Sequence, residues 1–232
     1  MVHKTESSAE KFRFRRAFLC GLAAGSVLAV TIAGLTPAFA QHNARDVDVE
    51  KLMAKGPLDD LIIGNPDAKV TVIEYASMTC GHCANFHNNV YPELKKKYID
   101  TGKIRFIFRE YPLDNLAAAA SMLGRCTGSS EKALQLANVL LKRQREWVSR
   151  EPVKKLYDIV KQAGFTQEKF NACLRDQELL GKIAKQREIA SRDFGVAATP
   201  TFFINGKRLN GRSDQISTFE AVIDPLLKDS AS

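Results

Sequence analysis

The sequence predicts an α/β fold, a β-sheet core interrupted by a helical insertion. Three observations predict it. The hydrophobic patterns run β-α-β, then a long helical block, then β-β-α. The first strand pattern is almost wholly apolar, as a strand covered on both faces must be. Over residues 112–195, β-branched residues thin out and Ala, Leu, Lys, Gln and Glu dominate. With 232 residues, 45% apolar and 26% charged, the chain has ample surface to bury and is neither disordered nor collagen-like.

The elements follow in chain order. The basic run Lys11-Phe12-Arg13-Phe14-Arg15-Arg16 precedes an uncharged apolar stretch over 17–36, then the small-x-small pattern Ala38-Phe39-Ala40. That is the order of a secretory signal, so 1–40 is expected to be a signal peptide cleaved after Ala40. Arg15-Arg16-Ala17-Phe18-Leu19 also resembles a twin-arginine signal. The stretch is long enough to span a bilayer, so an uncleaved inner-membrane anchor is the alternative. Cys20 sits at the start of the apolar run and would leave with the signal. The mature chain is expected in an exported compartment where disulfides persist. Residues 41–57 are polar, end in Gly56-Pro57 and are expected to form a flexible tether.

The run Lys69-Val70-Thr71-Val72-Ile73-Glu74-Tyr75-Ala76 reads as a buried central strand. A helix should follow, with Phe86, Val90, Leu94 and Tyr98 on one face and a kink at Pro92. Residues 103–109 alternate as a second strand, parallel to the first because a helix joins them. Thr127-Gly128, Glu151-Pro152 and Gly164 divide the helical block. Thr201-Phe202-Phe203-Ile204 is a strand, Asn205-Gly206 a two-residue hairpin turn, and Lys207-Arg208-Leu209 the return. A last helix starts near Asp214, with Ile216, Phe219, Ile223 and Leu226–Leu227 inward.

Charge excludes one class of function. Lys and Arg number 34 against 26 Asp and Glu, a balance of +8. Residues 1–40 hold five bases and two acids, leaving 29 against 24, or +5, spread along the chain. Beyond residue 40 no basic block with interleaved aromatics stands, so nucleic acid is not an expected partner.

The chemistry concentrates at Cys80-Gly81-His82-Cys83. Two cysteines separated by two residues at a helix start can close a small disulfide ring. The free N–H groups of the first turn and the helix dipole stabilise a thiolate at Cys80. His82, protonated or donating, would add to this. Cys83, one turn in, is expected to be shielded and to resolve mixed disulfides. Zinc is the competing reading, but it needs four ligands and no second Cys or His pair stands here. No cofactor and no metal is expected. Glu74 shares a strand face with Val70 and Val72, so its ionised form should be disfavoured by burial. The alternative for Glu74 is an edge position facing water. His87 and Phe86 are expected on the helix surface and in the core, respectively.

Glu74-Tyr75-Ala76-Ser77-Met78-Thr79-Cys80-Gly81-His82-Cys83, the helical insertion and Thr199-Pro200 together resemble the DsbA family of thioredoxin-fold thiol oxidoreductases. The resemblance covers roughly residues 58–230. It implies a thioredoxin fold, with a central mixed sheet flanked by helices and an inserted helical domain. The core would be 58–111 and 196–232, and the insertion 112–195. It implies Cys80 as the attacking and Cys83 as the buried cysteine, and Glu74 as the acid beneath them that assists proton transfer at Cys83. It implies a cis peptide at Thr199-Pro200 beside the cysteine pair. Substrate would then pair with the Thr199 backbone as an added strand, flanked by Pro200 and Gly81. Implied partners are folding exported proteins with free thiols and a DsbB-type membrane reoxidase, and the protein would work as a periplasmic monomer. Two departures stand out. The strongest oxidases of the family usually have Pro where Gly81 stands, and often Val where Thr199 stands. Cys-Gly-His-Cys is instead the setting of the protein disulfide isomerases. Both departures imply a milder oxidant with some isomerase activity.

Cys126 and Cys173 lie 47 positions apart in the helical block. In an oxidising compartment two buried cysteines of one small unit are expected to pair. Two unpaired buried thiols are the alternative. The leading functional reading is a thiol:disulfide oxidase. An isomerase or reductase of the same fold comes second, and a metal or haem-assembly thiol chaperone third.

Overall fold

The computed structural model describes residues 47–229. The expected signal, 1–40, lies outside the described residues. The described chain forms a five-stranded mixed sheet in the order β1-β3-β2-β4-β5. The strands are β1 (Leu61–Gly64), β2 (Val70–Ala76), β3 (Ile104–Glu110), β4 (Thr201–Ile204) and β5 (Lys207–Arg208). The helices are α1 (Val49–Met53), α2 (Gly81–Asn89), α3 (Tyr91–Leu94), α4 (Asn115–Arg125), α5 (Ser130–Lys142), α6 (Gln144–Trp147), α7 (Pro152–Val160), α8 (Gln167–Arg175), α9 (Gln177–Phe194) and α10 (Ile216–Asp229).

The apolar run 70–76 becomes the central strand, and every residue of β2 is buried. It pairs parallel with β3, Val72 opposite Phe106, and antiparallel with β4, Val72 opposite Ile204. A strand flanked on both edges and covered on both faces leaves no side chain for water, which is why its pattern does not alternate. Asn205 at φ 46° and Gly206 at φ 83° make the β4–β5 turn. Positive φ at both central residues matches the right-handed strand twist.

Two parts of the expected order change. Residues 41–57 are not wholly a structureless tether. Asp48 caps α1 by accepting the Lys51 N–H at 3.0 Å, and Leu52 is fully buried against Ile73, Tyr75, Ile107 and Phe203. Leu52, with Val47 and Met53 partly buried beside it and its carbonyl accepting from Arg109 at 2.8 Å, docks this short, well-capped turn on that sheet face. The helix after Cys80 is broken rather than kinked. α2 ends at Asn89, and α3 restarts at Tyr91 with Pro92 in its first turn, where a missing N–H costs nothing. A π-helical turn, Lys95–Ile99, completes it. Phe86, Val90, Leu94 and Tyr98 are nevertheless all buried.

Between β3 and β4 the chain is helical. Gly128 and Gly164, at φ 90° and 86°, end segments there, and Pro152 opens α7. Cys126, at the end of α4, is bonded to Cys173 of α8, with Cα atoms 6.2 Å apart. Arg125 of α4 grips Glu110 at the end of β3 with two bonds of 2.5 and 2.6 Å. Glu110 is 1% exposed, and Gln186 of α9 donates to it at 3.0 Å. Removing the cation leaves a buried carboxylate unpaired. Arg125→Leu should therefore lower stability by about 3 kcal/mol, read from urea unfolding midpoints.

Candidate active site

Strand β2 runs out at Ala76, and the loop 77–80 delivers Cys80 to the first turn of α2. Cys80 is the helix N-cap, and its sulfur accepts the Cys83 N–H at 3.4 Å. A side chain that satisfies an orphan donor at a helix start also lies on the positive end of the dipole. Two contacts from the helical segment fix the loop. Gln144 Nε2 donates to the carbonyls of Met78 and Cys80 at 2.8 and 3.0 Å. Thr79 donates its hydroxyl to Asp114, the α4 cap, at 2.7 Å. Gln144 is a site residue that no local motif marks, because it lies 64 positions from Cys80.

Cys80 and Cys83 are both free thiols, so this is the dithiol form. Their environments push them apart. The Cys80 thiol is lowered from 9.0 to about 5, chiefly by a hydrogen bond from the Cys83 thiol. The Thr199 side chain and the backbone N–H groups of Cys83 and His82 add to this, and burial opposes it. Cys83 is pushed well above its usual value by burial first, then by its bond with Cys80 and the negative charge of Glu74. One sulfur is thus an anion at neutral pH while its neighbour keeps its proton. An attacking thiolate and a resolving thiol need that division.

The Thr199-Pro200 peptide is cis. Cys80 Sγ lies 3.2 Å from the Thr199 carbonyl oxygen, so the loop 198–200 stands directly against the reactive sulfur. The Thr199 hydroxyl is buried and has no other hydrogen-bond partner. It is therefore free to donate to a Cys80 thiolate. Thr199→Val removes that donor at nearly constant volume. Cys80 should then titrate about 1 pH unit higher, in keeping with one hydrogen bond to a charged group. The pH midpoint of Cys80 alkylation measures it.

The other expected residues fall as follows. Glu74 is fully buried in β2, opposite Phe108 and Phe202, so the water-facing alternative is excluded. His82 is exposed, and its backbone N–H is among the groups that lower the Cys80 thiol. Gly81 is exposed with open space above it, so no steric contact requires glycine there. Cys126 and Cys173 form a disulfide in the helical segment, away from this loop in sequence and in partners. His87 is the correction. It is not on the helix surface but 1% exposed, with Nε2 at 3.0 and 3.2 Å from the two Glu74 oxygens. Its spacing carries the signal: His87 lies one helical turn beyond the buried Cys83, on the same face.

Comparison with known proteins agrees with this geometry. The model of the family described as Thioredoxin matches residues 58–225. A Rickettsia bellii protein named as a protein-disulfide oxidoreductase is 34% identical over 199 residues, 84% of this chain and 76% of that protein. A similarly named protein of Rickettsia conorii is 32% identical over 195 residues, 84% of this chain and 70% of that one. The crystal structure of Wolbachia pipientis alpha-DsbA1 superposes with a TM-score of 0.73 at 32% identity, covering 79% of this chain and 98% of that one. Bacillus subtilis BdbD shares the fold, with a TM-score of 0.65 at 19% identity, covering 79% of this chain and 96% of that one. With the dithiol at a helix start, the cis Thr199-Pro200 bond beside it and these likenesses together, the chain belongs to the DsbA family of thioredoxin-fold thiol:disulfide oxidoreductases.

Proposed function

We propose that this enzyme donates disulfides to exported proteins in the periplasm. The observation that carries the reading is Cys80 as the N-cap of α2, its sulfur 3.4 Å from the Cys83 N–H and 3.2 Å from the Thr199 carbonyl before the cis bond, a setting that lowers its thiol to about 5. A low thiolate pKa stabilises the dithiol relative to the disulfide, so the disulfide is readily given away. A client thiolate attacks the Cys80 sulfur of the Cys80–Cys83 disulfide, and Cys83 leaves. The client's second thiolate then attacks its own sulfur in the mixed disulfide and releases Cys80 as thiolate. The client gains a disulfide and the enzyme is left as the dithiol. The cycle needs an oxidant, and a DsbB-type membrane partner is the proposed one. The signal pattern of 1–40 supports export, and the chain is proposed to act as a monomer.

A second reading, disulfide isomerisation, is favoured by Gly81 and Thr199. The value of about 5 lies between those of thioredoxin, about 7, and of DsbA, about 3.5. Equilibration of residues 41–232 with glutathione buffers separates the readings. A potential near about −120 mV is expected of a disulfide donor, and one near about −180 mV of shared oxidase and isomerase duty. A value near −270 mV would make the protein a reductant and overturn the proposal.

A further inference from the structure

One helical turn beyond Cys83, on the same buried face of α2, begins a polar chain that electron transfer alone does not require. Glu74 and His87 are 0% and 1% exposed. His87 Nε2 faces both Glu74 oxygens, at 3.0 and 3.2 Å. On the far side of the ring, Nδ1 lies 2.7 Å from Oδ1 of Asn138, on α5. The rest of the surroundings offers little charge. The Phe86 ring stands 5.2 Å from the imidazole, Tyr91 of α3 4.9 Å and Phe108 of β3 6.0 Å, centre to centre. Burial pushes the Tyr91 hydroxyl up to about 12, so it keeps its proton. The other titratable neighbour is Cys83, on which the Glu74 charge acts.

The donor and acceptor inventory then fixes a proton count. An amide oxygen only accepts, so Nδ1 must carry a hydrogen toward Asn138. In a neutral imidazole with Nδ1–H, Nε2 is a bare acceptor. A bare nitrogen facing two ionised carboxylate oxygens at 3.0 and 3.2 Å would set lone pair against lone pair where water does not reach. One further proton has to lie between them. We infer that Glu74 and His87 share a single proton, with Asn138 fixing the tautomer, and that His87 thereby acts as a positioning residue for proton delivery at Cys83.

The inference rests on the Cys80–Cys83 exchange reaction and adds the path of its proton. When the client thiolate bonds to Cys80, the Cys80–Cys83 bond breaks and Cys83 takes the electron pair as a thiolate. The shared proton passes from the pair to that sulfur, and the negative charge moves to the Glu74 carboxylate. Solvent then returns one proton to the pair. In the reverse reaction, reoxidation, the pair first releases that proton to solvent, then accepts the Cys83 proton, and Cys83 attacks as thiolate. The pair is electrically neutral while it holds its proton, so no unpaired charge remains under the disulfide in the resting enzyme.

Nitrogen-15 spectroscopy of His87 in the otherwise native protein tests the proton count directly. The expected result is a protonated Nδ1, with Nε2 either accepting a hydrogen bond or itself protonated. A neutral ring with Nε2–H and a bare Nδ1 would mean that the Asn138 amide is reversed and Glu74 is a plain carboxylate, which overturns the inference. His87→Gln supplies an amide N–H to Glu74 but cannot share a proton. Its client oxidation rate above pH 7 should fall on the order of tenfold, less than the roughly hundredfold or more of a direct general acid, because His87 acts through Glu74. The Cys80 alkylation midpoint should stay near 5. Asn138→Leu frees the tautomer and should give a smaller loss of the same pH form. A folded His87→Gln protein with an unchanged rate–pH profile would also overturn the inference. If that variant does not fold, the nitrogen spectrum and Asn138→Leu decide. Failure here is distinct from failure of the enzyme reading, because Cys80→Ser tests the latter alone.

Discussion

Cys80→Ser is expected to abolish oxidation of a reduced test protein, with turnover falling at least a thousandfold, while the fold survives. The hydroxyl replaces a sulfur that is both the electrophile in the disulfide and the leaving group in resolution. Serine forms no disulfide, so neither half of the exchange remains. The fold should survive because serine nearly matches the shape of Cys80 and sits at the rim of the core, where the residue is 8% exposed. Its sulfur takes one N-cap bond from Cys83 N–H at 3.4 Å, and a serine oxygen is at least as good a cap. Cys83→Ser should behave differently. Cys80 would still react with client disulfides and become trapped, because the shielded resolving sulfur is gone. Gel detection of a stable mixed disulfide in Cys83→Ser, and none in Cys80→Ser, checks the assignment of roles. Undiminished oxidation by Cys80→Ser would refute it.

How much of this was legible without coordinates depends on the range of the interaction. The cysteine pair, the central strand and the β4–β5 hairpin are written in contiguous residues, and each reading needs only local chemistry. Glu74 could be placed inside because its strand neighbours are apolar. Its partner could not be found in the same way. His87 is 13 positions from Glu74, and Asn138 is 51 positions from His87. Only tertiary packing of α5 on α2 brings them together. The i, i+4 relation of Cys83 and His87 is the one local clue, and it does not by itself separate a buried histidine from a surface one. Strand β1 escaped for a physical reason as well. It is four residues long at the sheet edge, exposed on alternate positions, and ends on Gly64 with Asn65 and Pro66 following at once, so its pattern merges with a turn. Helix α1 is a single capped turn whose one buried side chain, Leu52, makes no periodic pattern.

The second large effect is the titration of the dithiol enzyme. With Cys80 at about 5, thiolate exceeds thiol by about a hundredfold at pH 7, where an unperturbed group at 9.0 would show the inverse ratio. Thiolate absorbance at 240 nm should rise in one step centred near pH 5, and Cys83 should add no step below pH 9 because it is raised rather than lowered. A stability consequence follows by linkage. Cys80 is depressed in the folded state, so its contribution is fully present above the unfolded thiol value. It is lost as pH falls toward about 5. Cys83 works in the opposite sense, since its raised value stabilises the folded state only while the unfolded thiol also keeps its proton. The dithiol form should therefore gain stability from pH 5 to about pH 8 relative to the disulfide form, in which neither sulfur titrates. The difference between the two forms cancels every other titrating group that the disulfide leaves unchanged. Parallel urea titrations of both forms at pH 5 and pH 8 measure it. A gap that does not widen with pH would show that the Cys80 thiolate is not held by the helix start and Thr199. The same gap sets the driving force for disulfide donation, so the redox potential of the couple should rise or fall with it in variants of Thr199.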